Sequence, residues 1–547
     1  MVSFRTTLDT HAVGLDVEDA ARQARDLARA GAEANGVCTS PVVRSVFDRE
    51  TGVTHLVPIP CGSTRESKCK ACAEKARRLR MHQCREGWHR DDEPDLPPAP
   101  TAAPDEDEDD DEKEDEPAPE RVTRSTRRRP DVPDLPTQKM SSGTLGRTFT
   151  DPRTGQTFRP SMFLTLTLGS YGDIGRRRRA DGTWESTGVP ANPRTYDYRK
   201  AALDALMFSR VVDRFMQNLR RCAGYTVQYF AAVEPQKRLA PHLHAAIRGT
   251  IPRAIVKQVA AATYFAAWWP PCTDADVVYG EHTEPPVWHE ESANYLDPHT
   301  GEVLPTWKEA TAQLQDPAHV VRLGKQVDIK GLLGGTPDSD HAVRYLCKYL
   351  TKSISGTYAA GDDDADTAAR VAYDKHVDRL HAHVRVLPCG PDCANWLRYG
   401  VQPKNPTPGM KPGGCLSPAH DRENLGLGGR RVLVSRGWSG KTLTQHRADR
   451  AAVVRQALEA AGIEHDDADR LSTTQETSDG HARYVWREPE AGSYTYAAVI
   501  TASLQEHLRR RGQYDAAKQA LGLAPPGSTG PVDNRSATAA TPAAHAA

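Results

Sequence analysis

Two imidazoles stand two residues apart in Pro241-His-Leu-His-Ala245. On a strand, His242 and His244 leave the same face and can share one ion, while Leu243 turns into the core. Glu234 ends the preceding β-like run and is joined to the pair through a short Pro-containing segment. A hairpin there brings its carboxylate beside the imidazoles. Two histidines and one carboxylate with open coordination positions suit Mg²⁺ or Mn²⁺ and a phosphate oxygen.

Candidate nucleophiles lie in Arg344-Tyr-Leu-Cys-Lys-Tyr-Leu-Thr-Lys352. As a helix, this segment buries Val343, Leu346, Cys347, Leu350 and Ile354. Tyr345, Tyr349 and Lys352 then fall at i, i+4 and i+7 on another face, with Lys348 at its border. A phenolate attacks a metal-polarised phosphate, and lysine steadies the developing charge. Packing alone also puts Tyr at a core boundary and Lys in water, so the helix acquires chemistry only through its partner site.

The eleven cysteines point to metal before disulfides in a reducing compartment. Cys38, Cys61, Cys69 and Cys72 give C-x22-C-x7-C-x2-C, which reads as a four-thiolate structural Zn²⁺ site. Cys389, Cys393, Cys415 and His420 pair C-x3-C with C-x4-H and read as a second. Cys222, Cys272 and Cys347, each isolated, read as buried thiols.

Two other motifs are set aside. His381-Ala-His383 is a second His-x-His pair, but has Ala at its middle position and no carboxylate strand to match. Trp438-Ser-Gly-Lys-Thr442 lacks the first glycine of a phosphate-binding loop, where Ser435 stands instead, so no nucleotide-driven helicase is expected.

The elements that must position these groups follow from periodicity. Strands are expected at 163–168, 226–233, 242–247 and 430–436, and helices at 198–221, 256–269, 340–354, 448–461 and 497–521. The Pro-, Gly- and acid-rich stretch 270–337 reads as a loop-rich insertion. Within the 547 residues, hydrophobic side chains make up 38%, so several cores are possible with unstructured chain left over. The net charge of -1 hides a segregation: residues 91–120 hold 16 acidic groups against Lys113, leaving +14 on the rest. The body suits a polyanion such as nucleic acid, and the acidic run reads as a disordered linker. No apolar run approaches the ~18 residues of a membrane span, and residues 1–15 lack a secretion signal, so no membrane partner and a cytoplasmic location are expected.

In order along the chain, Phe163-Leu-Thr-Leu-Thr167, Pro-His-Leu-His with its upstream Glu, and Tyr-Leu-Cys-Lys-Tyr-Leu-Thr-Lys resemble the three motifs of HUH endonucleases of the rolling-circle class. The strings Ala394-Asn-Trp-Leu-Arg-Tyr-Gly400 and Val434-Ser-Arg-Gly-Trp-Ser-Gly-Lys441 are similar to actinobacterial plasmid and integrative-element initiators of the RepSA type. The resemblance implies an α+β fold: an HUH domain with an RRM-like antiparallel sheet and flanking helices, small zinc-binding modules, and a helical C-terminal region. It implies His242 and His244 as metal ligands with Glu234 as third, and Tyr345 and Tyr349 as nucleophile candidates beside Lys348 and Lys352. It also supports the first four cysteines, with Cys84 spare. The expected organisation is a zinc module at 1–90, an acidic linker at 91–136, a nickase domain at 137–360, a second zinc module at 361–430, a basic helical region at 431–524 and a disordered tail at 525–547.

The function so implied is nicking of single-stranded or locally melted origin DNA through a 5′-phosphotyrosine, the free 3′-OH priming a host polymerase with a host helicase. A mobilisation relaxase or single-strand transposase would use the same chemistry. A zinc-containing DNA-binding regulator would use none.

Overall fold

A computed structural model describes residues 17–88, 129–136, 149–150, 155, 157–158, 160–179, 181–333, 336–348, 350–351, 367–428, 431–463 and 475–522. The acidic run 91–120 and the tail 525–547 lie outside them. The chain divides into two compact units, Arg77–Lys441 and the pair Met1–Ala76 with Thr442–Ala547.

The larger unit is built on a six-stranded sheet. Its strands are β1 (Pro160–Leu168), β2 (Tyr229–Pro235), β3 (Pro241–Arg248), β4 (Tyr264–Ala267), β5 (His319–Leu333) and β6 (Val432–Val434). The order is β4-β5-β1-β3-β2-β6, with every neighbouring pair antiparallel. Alternation along β1 sends Met162, Leu164, Leu166 and Leu168 into the main core. There they meet α1 (Tyr198–Leu206), α2 (Phe208–Ala223) and α3 (Arg253–Ala262), represented by Leu203, Phe215 and Val256. The opposite face carries Phe163, Phe230, Ala232 and Ala246. It is covered by Val343, Leu346 and Cys347 of α4 (Pro337–Lys348), and by Cys84, Trp88 and Trp438. Helix α5 (Thr367–Val386) adds Tyr373, Val377, Leu380 and Val384 to the main core. Described residues 367–428, which fall in the segment read from sequence as a second zinc-binding module, thus contribute to the core of the sheet.

Local chemistry explains where elements stop. Asp197 caps α1 by accepting from Lys200 N at 2.8 Å. The single helix expected over 198–221 breaks at Met207 (φ -105°), which ends α1 and begins α2. Gly224, at φ 70°, closes α2 in the left-handed conformation that glycine adopts without strain. The helix expected over 256–269 stops at Ala262, and Tyr264–Ala267 joins the sheet edge instead. The largest difference is the 15-residue β5, inside the stretch read as loop-rich. Its alternation is broken by a register shift between Leu323 and Val327, and much of it stays half exposed, so no clean period marks it in sequence.

In the smaller unit, Val42–Asp48 is the central strand between Thr54–Ile59 and Tyr484–Arg487. Arg483 Nε and Nη2 donate to the Asp48 carboxylate at 3.1 and 2.9 Å, tying the start of the chain to its end. Helices Val17–Ala34 and Tyr496–Ala520 pack through Ala28, Ala32, Ile500 and Leu504. No described helix is long and apolar enough to cross a membrane.

Candidate active site

Strand register assembles the site. On β1, Thr165 lies opposite His244 and Thr167 opposite His242. On β2, Ala232 lies opposite His244 and Glu234 opposite His242. Both imidazoles and the carboxylate therefore share one face, and Leu243 is fully buried in the core on the other. The turn between β2 and β3 is closed by Gln236 N donating to Ala240 O at 2.8 Å, with Leu239 at φ 64°. Arg238 clamps that turn to the end of β1 through the carbonyls of Leu168 and Gly169, each at 2.8 Å.

His242 Nε2 and His244 Nε2 stand 2.7 Å apart, and Glu234 Oε2 lies 3.9 Å from His242 Nε2. One ligand atom from each of the three falls within 4.8 Å of the others. Burial pushes the His242 imidazole down to about 3, helped by His244 and Arg238, and pushes His244 down to about 4. Both rings are thus neutral near pH 7, the form that binds metal. Burial pushes the Glu234 carboxyl up to about 8, opposed by the charges of Arg431 and Lys348. Among the described residues, Glu234 Oε1 is buried without a hydrogen-bond partner. A buried carboxylate left unpaired is costly, and a divalent cation held between it and two facing imidazole nitrogens removes that cost. The three side chains therefore fit Mg²⁺ or Mn²⁺.

Helix α4 brings one tyrosine to this cluster. Val343, Leu346 and Cys347 are fully buried against the sheet, which leaves Tyr345 37% exposed at the boundary. Its phenol oxygen lies 3.3 Å from His244 Nε2. Phe163 steadies both rings, 5.8 Å from His244 in a stacked arrangement and 6.0 Å from Tyr345 edge-on. Lys348 is near enough for its charge to act on Glu234. Tyr349 and Lys352 lie outside the described residues.

A family model described as RepSA, replication initiator protein, pSAM2, matches residues 24–504. The chain belongs to the RepSA family of replication initiators. No curated protein and no solved structure matches it.

This RepSA initiator also carries two cysteine clusters able to hold a metal. In the smaller unit, Cys38 precedes the central strand, Cys61 follows the next, and Cys69 and Cys72 sit at the start of helix Lys70–Trp88. Their four sulfurs lie within 4.8 Å of one another, with Cys69 Sγ 3.8 Å from Cys38 Sγ and Cys61 N donating to Cys38 Sγ at 3.3 Å. Burial pushes the Cys38 and Cys72 thiols up. A Zn²⁺ ion would reverse this by binding thiolates. In the larger unit, His420 Nδ1 donates to the carbonyl of Val384 at 2.7 Å, which turns its Nε2 toward Cys393 Sγ at 3.5 Å. That is the outer hydrogen bond a metal-ligating histidine requires. Cys389 and Cys415 complete the set.

The His381 and His383 pair lies on α5, where residues two apart diverge. His381 Nε2 donates to the carbonyl of His420 at 3.0 Å, and His383 stacks on Tyr198 at 6.4 Å. Sequence reasoning missed Thr165, whose hydroxyl reaches His244, although it sits inside the first quoted motif. It also missed Arg431, which nothing local marks. The Val434–Lys441 string has a structural reason: Ser435 Oγ donates to Gln228 Oε1 at 2.7 Å, and Trp438 Nε1 to the carbonyl of Cys84 at 3.1 Å. Arg248, 1% exposed, ties that loop in by donating to the carbonyls of Gly87, at 2.6 Å, and Trp438.

Proposed function

We propose that this replication initiator is an HUH-type endonuclease that nicks one strand of its origin DNA and keeps the 5′ end as a phosphotyrosine. The reading rests on the approach of Tyr345 Oη to within 3.3 Å of His244 Nε2, beside His242 and Glu234, in a chain of the RepSA family. His242, His244 and Glu234 would hold Mg²⁺ or Mn²⁺, which when bound polarises the scissile phosphodiester. Tyr345 or Tyr349 attacks phosphorus in line, forming a tyrosyl ester as the bond to the 3′ oxygen breaks. The phenol gives up one proton and the departing 3′ oxygen takes one up, so the transesterification is balanced. Lys348 and Lys352 supply positive charge for the phosphoryl oxygens, and Phe163 holds the ring of Tyr345 in place. The free 3′-OH primes a host polymerase behind a host helicase, and the zinc clusters serve folding.

The test is covalent capture. Incubated with single-stranded origin DNA and Mn²⁺, the full chain should yield a tyrosine-linked DNA adduct, mapped by mass spectrometry to the 345–349 segment. The double variant His242→Ala/His244→Ala should form none while still binding duplex origin. Specific binding with no adduct under any metal would leave a zinc-containing regulator instead.

A further inference from the structure

Arg176-Arg-Arg-Arg179 takes no part in the metal cluster or the zinc clusters. It lies on a two-stranded hairpin, Ile174–Arg178 paired antiparallel with Trp184–Pro190. The root of the hairpin is fixed: Ile174 and Val189 pack against the main core. Gly188, at φ 78°, lies so close to Lys237 that a Cβ there would meet its backbone oxygen at 2.8 Å. Lys237 belongs to the turn joining Glu234 to His242, so the root sits beside that turn. The tip is closed as well. Arg179 N donates to Thr183 O at 2.8 Å, and Asp181 accepts from Thr183 N and Oγ1 at 2.9 and 2.6 Å. The hairpin is a braced arm.

Register divides its charge. Arg177 is paired with Glu185, whose carboxylate also holds Arg179 at 2.6 Å. On the other face, Arg178 stands opposite Trp184 and Arg176 opposite Ser186. Among the described residues neither Arg176 nor Arg178 is matched by a carboxylate. Arg178 Nε donates to Gly182 O at 3.2 Å, and the Trp184 indole beside it is 66% exposed. Leaving a large indole in water forgoes its burial, and an indole on the same face as two uncompensated guanidiniums is the surface that a polyanion with stackable rings would cover.

We propose that this hairpin is a DNA-contacting arm that grips origin DNA flanking the cleaved phosphate. Arg176 and Arg178 bind backbone phosphates, and Trp184 stacks on an unpaired base. The proposal deepens the origin-binding role and does not depend on the nicking chemistry.

The experiment uses the full chain and measures affinity for single-stranded and duplex origin DNA across a salt series. Arg176→Ala/Arg178→Ala should weaken single-strand binding and flatten the salt slope by about 1.4, the share of two phosphate contacts at about 0.7 each. Trp184→Ala should weaken it about 10-fold with the slope unchanged, and Trp184→Phe should restore most of the loss. All of these positions are exposed, and unchanged zinc content would verify the fold. Nicking of an oligonucleotide too short to reach the arm should proceed at the wild-type rate. Wild-type affinities and slopes in every variant would overturn the proposal, as would loss of short-oligonucleotide nicking, which would make the hairpin a support of the catalytic fold. A wild-type chain that forms no adduct would sink the nicking mechanism, while the binding comparison would still decide the arm.

Discussion

Thr165 Oγ1 lies 2.9 Å from His244 Nδ1, on the strand directly paired with that of the histidine. With Nδ1–H donating to the hydroxyl, the lone pair on Nε2 faces Glu234 and His242. Thr165→Val keeps the shape and removes the acceptor. Mn²⁺ affinity, measured by titration calorimetry on the full chain, should fall about 10- to 100-fold, and Thr165→Ser should recover it. Wild-type affinity in the Val variant would remove Thr165 from the site.

The four-residue spacing of Tyr345 and Tyr349 in the sequence would put them one turn apart on a helix, so we expect both phenols to reach one phosphate in succession. Tyr345→Phe keeps the ring on Phe163 and deletes only the oxygen beside His244. Each single Phe variant should still form adduct on single-stranded origin DNA yet fail to release closed circles, and the double variant should form none. Adduct on the double variant would move the chemistry off this helix. If one single variant is dead and the other nearly normal, only one tyrosine acts.

Elemental analysis should find two zinc ions per chain. Cys393→Ser should lose one and lower the Tm of the larger unit by roughly 10 °C, because loop segments around His420 draw folding energy from the metal. Cys69→Ser should lose the other. Purified protein without zinc would contradict both sites.

Gly87 has no room for a side chain: a Cβ would stand 2.2 Å from Trp438 Cδ1. Gly87→Ala should destabilise the larger unit by about 3 kcal/mol in urea unfolding, near the top of the range for overpacking. Combining it with Trp438→Phe should cost less than the sum of the two single changes, since one clash is shared. Simple additivity would show that the helix moves away from the loop instead.

Residues 91–120 carry the excess negative charge of the chain, tethered to a basic body. Deleting them should tighten nonspecific DNA binding at low salt, with the difference shrinking as salt screens the competition. Equal affinities across the salt series would leave a spacer.

Sequence alone determined the chemistry-bearing types and their local geometry. The spacing of His242 and His244 fixes a shared strand face, because a strand alternates every two residues. The stripe Val343, Leu346 and Cys347 fixes which side of α4 is buried, and the cysteine spacings fix two four-ligand sets. Each is a short-range consequence of backbone period. What only the tertiary structure decided depends on partners far apart in the chain. The sheet takes β5 in between edge strand β4 and β1, where pairing with β1 supplies the order that a half-exposed, bulged sequence does not advertise. Arg431, Thr165 and the Trp438 loop gain their meaning from register across β1, β3, β2 and β6. The run Arg176–Arg179 drew no reading from the sequence; only the pairing of its strand separates the arginines that Glu185 neutralises from the two left facing solvent beside Trp184. Long-range pairing is set by burying whole faces at once, and no local window of residues carries that information.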